Sequence, residues 1–212
     1  MSLRASWMLV LLACACAAVG GAWAARDLGH APAGLLATPQ LTSGTWLPTP
    51  RSAGKFTLID QSGAPFTQAS LPGEPSIITF GFTHCPDVCP ATLAMLARVS
   101  RTAHMPPVRV IFISVDPQRD TPHVLGRYVS AFDPRFIALT GSPAAIRALA
   151  GRLGVAYERV ALPGGDYTID HTAVAFLLDA KGRVAAIFTA PFDAARFAHD
   201  LRRAAPYLAL HG

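Results

Sequence analysis

The chain has no internal repeat and, apart from one Pro/Gly/Thr/Ala-rich stretch near its start, no compositionally biased tract. Solenoid and array architectures are therefore excluded. It also lacks any cluster in which basic residues interleave with aromatics: the arginines are scattered and the formal charge is only +5, so no nucleic-acid partner is indicated and the surplus arginine reads as a solvated basic face. Cysteine is scarce. The four residues fall into two pairs with different surroundings, Cys14 and Cys16 in an apolar N-terminal run and Cys85 and Cys89 in the folded part, and so do not form one disulfide framework.

What is present begins with 21 uncharged residues between Arg4 and Arg26. That length spans a bilayer as a helix, and Trp7 and Trp23 stand where interfacial aromatics belong. The expectation is a single-pass N-terminal transmembrane helix over residues 1–26, with Arg4 inside and the rest of the chain outside. Two alternatives stay open: Ala22-Trp23-Ala24 has the form of a signal-peptidase site, and Leu11-Leu12-Ala13-Cys14 faintly resembles a lipoprotein box. All three export the remainder. Residues 27–52 then read as a flexible tether, and residues 53–212 as one globular domain large enough to bury a core without disulfide staples.

Within that domain, Lys55–Asp60 reads as a strand and turn, and Ile77, Ile78, Phe80 and Phe82 mark a buried strand. A helix-like segment opened by Pro90 follows, then the β-branched run Val108–Val115, which suits a central strand covered on both faces. Thr121-Pro122 and Ser142-Pro143 begin further helices around a short strand at Phe136–Thr140. The last third changes character. Val155–Val160 is a candidate strand or hairpin arm, Pro163-Gly164-Gly165 is a turn, Ala173–Leu178 and Arg183–Thr189 form a hairpin, and a final helix runs from about Asp193 to Ala205. A parallel β-α-β half followed by an antiparallel hairpin and a helix is an α/β, thioredoxin-like plan: a central mixed sheet flanked by helices.

In that plan Cys85 and Cys89 sit at the junction between the first central strand and its helix. Two residues four apart on a first helical turn have Cα atoms about 6 Å apart on one face, close enough for a disulfide or for chelating one metal ion. The helix N-terminus is expected to depress at least one sulfur's pKa. As a structural staple the bridge would be poor, because so short a loop removes little unfolded-state entropy. A residue just before the C-terminal hairpin faces the cysteines in this plan, which makes His171 a candidate third donor; a solvated loop histidine is the alternative.

Gly81-Phe82-Thr83-His84-Cys85-Pro86-Asp87-Val88-Cys89-Pro90, Ser114-Val115-Asp116-Pro117 with Arg119-Asp120-Thr121, and Asp166-Tyr167 with Asp170-His171-Thr172 together resemble the signature of the Sco/SenC family of membrane-tethered copper proteins. The resemblance runs from about Gly54 to the last helix. It implies a thioredoxin-like fold, copper bound by Cys85, Cys89 and His171, and a role in assembling the copper A centre of cytochrome c oxidase. Asp116 and Asp120 map to its carboxylate motif, where they orient the site or simply hold a loop with Arg119. His84 and Asp87 match too, without any implied contact with metal.

Two thiolates and an imidazole suit Cu(I), and a further oxygen donor completes a tetragonal Cu(II) site. Structural zinc would want a closed set of four. The implied partners are the oxidase's copper-bearing subunit and a copper donor protein, with the domain on the periplasmic side of the inner membrane. Two other classes use the same thiols: a thiol-disulfide oxidoreductase in which Cys85 and Cys89 are the redox-active pair, and a thiol peroxidase, for which nothing marks a peroxidatic cysteine. His171 discriminates, because a plain dithiol reductase has no need of an imidazole there.

Overall fold

The computed structural model describes residues 38–102 and 104–210. The expected membrane segment, residues 1–26, and the first part of the expected tether lie outside the described residues. Among the described residues no helix is long and apolar enough to cross a membrane.

The strands are β1 (Gly44–Ser52), β2 (Thr57–Asp60), β3 (Pro65–Thr67), β4 (Ser76–Gly81), β5 (Arg109–Ser114), β6 (Ile137–Thr140), β7 (Tyr157–Ala161), β8 (Tyr167–His171), β9 (Val174–Leu178) and β10 (Arg183–Thr189). The α-helices are α1 (Val88–Ser100), α2 (Pro122–Ser130), α3 (Pro143–Leu153) and α4 (Ala194–Leu210). Eight strands form one sheet in the order β1-β10-β9-β4-β5-β6-β2-β3, while β7 and β8 pair with each other in a separate two-stranded sheet. β4, β5 and β6 run parallel, and β9 lies antiparallel to β4. The sheet is therefore mixed, as expected for a thioredoxin-like α/β fold.

β4 and β9 are buried along their whole length, which requires cover on both faces and explains their near-continuous apolar sequence. Helix starts follow local chemistry. The Thr121 and Ser142 hydroxyls accept from the backbone N–H of Val124 and Ala145, with proline at the first helical position, and Gly154 ends α3 in the left-handed region at φ 77°. The β9–β10 turn is clamped by Asp179, whose carboxylate accepts from the backbone of Lys181 and Arg183 and from the Arg183 guanidinium. Gly182 in that turn has φ 74°, and a Cβ there would meet Leu71 at 2.5 Å.

The tether differs from expectation. Gly44–Ser52, read as part of a flexible linker, form β1, an edge strand paired antiparallel with β10. Its sequence carries two prolines and an interrupted register, which hides the strand from a period-of-two reading. Just before it, the buried Asp200 carboxylate on α4 accepts from the backbone N–H and hydroxyl of both Thr42 and Ser43 at 2.7–2.9 Å. Burial raises the Asp200 pKa, but the four donors outweigh it and hold the group at about 2.

Candidate metal centre

The site is assembled by one loop, the first turn of a helix and the end of a strand. β4 ends at Gly81, the chain turns so that the Cys85 N–H donates to the Phe82 carbonyl at 3.2 Å, and α1 starts at Val88. The helix thus opens two residues before Pro90, which occupies its first turn, where a missing N–H costs nothing. Cys89 lies inside that turn and Cys85 just ahead of it; the Cys89 N–H donates to Cys85 Sγ at 3.4 Å. Both thiols are free and buried. Gly81 makes the space for this packing, since a Cβ there would lie 2.8 Å from Cys89 Sγ and 2.7 Å from the Phe112 ring.

His171, the last residue of β8, brings its Nε2 to 3.3 Å from Cys89 Sγ. Its Nδ1 lies 3.2 Å from the Thr172 carbonyl, which only accepts, so Nδ1 carries the proton and Nε2 presents its lone pair to the sulfur. The ring also meets Phe82 edge-on, with centroids 6.1 Å apart. Burial lowers the His171 pKa and keeps the imidazole neutral, the form that ligates a metal. Sγ of Cys85, Sγ of Cys89 and a ring nitrogen of His171 all fall within 4.8 Å of one another. Two sulfurs and one imidazole make a donor set for a soft metal ion. A cavity of about 380 Å³ opens over it, lined among others by Phe82, Cys85, Asp170 and His171, so the approach is from the Cys85 and His171 side.

The helix-terminus effect does not prevail at Cys89: burial, then a side-chain hydrogen bond with Cys85, pushes its thiol far up. A 3%-exposed sulfur loses more by desolvation than a helix N-terminus returns. Without a bound cation Cys89 is a thiol, and a metal ion has to displace its proton.

The carboxylates of the second motif sit behind the site. Asp120 accepts from the Thr83 N–H at 3.0 Å, the Thr83 hydroxyl at 2.5 Å and the Ser114 hydroxyl at 2.6 Å, which fixes the loop leading into Cys85. Asp116 accepts from Arg119 Nε at 2.5 Å and from the Tyr167 hydroxyl at 2.8 Å. Arg119 stacks on the Tyr167 ring at 3.7 Å, and Arg159 lies 3.8 Å from the same ring centroid. Neither aspartate belongs to the three-residue metal-ligating group. His84 and Asp87 are exposed, and His84 Nδ1 pairs with the Thr83 hydroxyl at 3.1 Å. Sequence reasoning assigned no role to Tyr167 or Thr83. The available signal for Tyr167 was its parity, since residues 167, 169 and 171 of a strand share one face.

The SCO1/SenC family model matches residues 46–206. A SCO2-like protein of Rickettsia prowazekii is 42% identical over 134 residues, which make up 61% of this chain and 65% of that relative; the match thus spans just under two thirds of the relative's length. Among solved structures, Bradyrhizobium japonicum ScoI with copper bound is 44% identical, with a TM-score of 0.63 over 71% of this chain and 97% of that one. BsSco, a member of the Sco family of cytochrome c oxidase assembly proteins in which a disulfide switch was identified, is 26% identical, with a TM-score of 0.59 over 76% of this chain and 98% of that one. With the family model matched from within β1 to within α4, and the motif cysteines and histidine converging as a donor set, the chain belongs to the SCO1/SenC family.

Proposed function

We propose that this protein is a copper-binding assembly factor: it holds copper through Cys85, Cys89 and His171 and passes it to the copper-bearing subunit of cytochrome c oxidase, having received it from a copper donor protein. The observation that carries this reading is the approach of two sulfurs and one imidazole nitrogen to within 4.8 Å. The copper in the Bradyrhizobium relative and the oxidase-assembly role of the family to which BsSco belongs support it. In this reading the residues act in order. His171 offers a neutral nitrogen at the cavity floor, Cys85 offers the sulfur that lines the cavity, and Cys89 releases its proton as the ion enters. A set of three leaves room for an incoming donor from the acceptor protein, so the ion moves by ligand exchange without being released to water.

Redox state gates the same site. Joining the two sulfurs as a Cys85–Cys89 disulfide gives up two protons and two electrons to an oxidant such as a partner disulfide, and removes both sulfur ligands together. Residues 5–25 serve in this proposal as a single-pass anchor that keeps the domain at the periplasmic face of the inner membrane; the uncharged length and the flanking tryptophans support it.

The test is titration of the reduced full-length chain with Cu(I) and Cu(II), reading stoichiometry and ligand spectroscopy, in wild type and His171→Ala. One copper per chain, with nitrogen ligation lost in the variant, is expected. A second reading is favoured by the two free thiols and by the disulfide switch of BsSco: a thiol-disulfide oxidoreductase acting on cysteines of an oxidase subunit or copper carrier. If His171→Ala cells assemble active oxidase normally under limiting copper while Cys85→Ser cells do not, that reading replaces the first.

A further inference from the structure

His171 reaches the two sulfurs from a strand that the main sheet does not hold. Among the described strands β8 pairs only with β7, while the cysteines hang from β4 and α1. Sheet register reaches His171 only through Thr172 and Ala173, the two residues that join β8 to β9, so side chains have to hold the rest of the arm in place, and Arg119 ties it at several points. Its guanidinium lies over the Tyr167 ring at 3.7 Å, donates from Nη1 to the Tyr167 carbonyl at 3.0 Å, and donates from Nε to Asp116, whose other oxygen takes the Tyr167 hydroxyl. Asp116 is fully buried, so this pair is little screened by solvent; the Arg119–Asp166 pair, with Asp166 71% exposed, adds little. The same guanidinium sits 6.0 Å from the Phe82 ring, which in turn packs against His171.

We propose that Arg119, stacked on Tyr167 and anchored by Asp116, is the positioning residue that clasps the β7–β8 arm onto the β5–α2 loop and so holds His171 Nε2 within ligating reach of the cysteines. The clasp deepens the proposed copper site and rests on that reading for its purpose, though not for its geometry. Its parts are matched to the task. The planar guanidinium stacks and forks in a way that lysine's point charge does not, and the tyrosine contributes a ring face, a carbonyl and a hydroxyl at once.

Three variants of the full chain test it: Arg119→Lys, Tyr167→Leu and, as the conservative control, Tyr167→Phe, which keeps the ring. In the metal-free reduced protein, NMR contacts between the His171 and Phe82 rings are expected to weaken in Arg119→Lys and Tyr167→Leu and to persist in Tyr167→Phe. With Cu(II) added, the first two lose nitrogen ligation and about tenfold or more in affinity, toward the His171→Ala value, and Tyr167→Phe stays near wild type. The midpoint potential of the cysteine pair is expected to shift no further than in His171→Ala, which loses the same Nε2–Cys89 contact, because Asp120 holds the cysteine loop separately. Wild-type ring contacts in both Arg119→Lys and Tyr167→Leu would overturn the clasp, and so would a potential shifted beyond that of His171→Ala, since that marks general damage. Should wild type itself take up no copper, the copper reading falls, and the metal-free NMR comparison still decides the clasp. Using two different sites keeps the result readable if one variant folds poorly.

Discussion

His171 presents Nε2 rather than Nδ1 because a backbone carbonyl, an obligate acceptor, claims the Nδ1 proton. Removing the ring leaves both sulfurs in place, so His171→Ala is expected to keep disulfide exchange with a small model disulfide near the wild-type rate while losing Cu(II) affinity by at least about tenfold, as read by competition titration. Gly81 is the complementary case. A methyl at that position has to displace Cys89 Sγ or the Phe112 ring, both under 3 Å away, so Gly81→Ala is expected to cost roughly 1–3 kcal/mol in urea unfolding and to slow copper uptake. Asp120 is a buried acceptor for three donors. Asp120→Ala strands the Thr83 N–H and the Ser114 hydroxyl, and the expected loss is about 2–3 kcal/mol, measured the same way.

At the scale of elements, β1 and α4 are tied by the Asp200 carboxylate gripping Thr42 and Ser43. Its pKa is lowered to about 2 in the folded chain, well below the ordinary aspartate range. A carboxylate depressed on folding contributes stability that is present above its unfolded pKa and lost as pH falls toward the folded one. Stability should therefore decline between about pH 4 and pH 2 in wild type, and this part of the decline should vanish in Asp200→Asn, whose stability at pH 7 is expected to be lower by roughly 2 kcal/mol. Urea unfolding across that pH range checks both. Junction and arm differ in how they are held. α1 buries Cys89, Leu93, Leu96 and Val99 in the core, so the cysteine pair is held by the core packing. The β7–β8 arm is held by its own ladder, by the buried Ile169 and by side-chain ties, so the position of the third donor depends on contacts outside the main sheet.

For the whole molecule, the two sulfurs serve as donors or as a disulfide, never both, and full oxidation is expected to abolish copper uptake while reduction restores one ion per chain; equal stoichiometry in both states would put the metal elsewhere. The paired cysteines at a strand-to-helix junction, the three-part motif of the family and most of the element order, though not the strand β8 that carries His171, were legible from residues alone. Each is a local matter of apolar period, of turn and cap residues such as Thr121-Pro122, or of fixed spacing. β1 was not legible, because an edge strand with prolines draws its pairing from β10, far along the chain. Nor was the raised pKa of Cys89, since helix position is written in the sequence while burial depends on what folds over it. The sequence by itself determined which three side chains carry the donor atoms. Only the tertiary structure decided that they meet, because His171 stands on an arm 82 residues from Cys89, and its approach depends on contacts among Arg119, Asp116 and Tyr167 that no local pattern encodes.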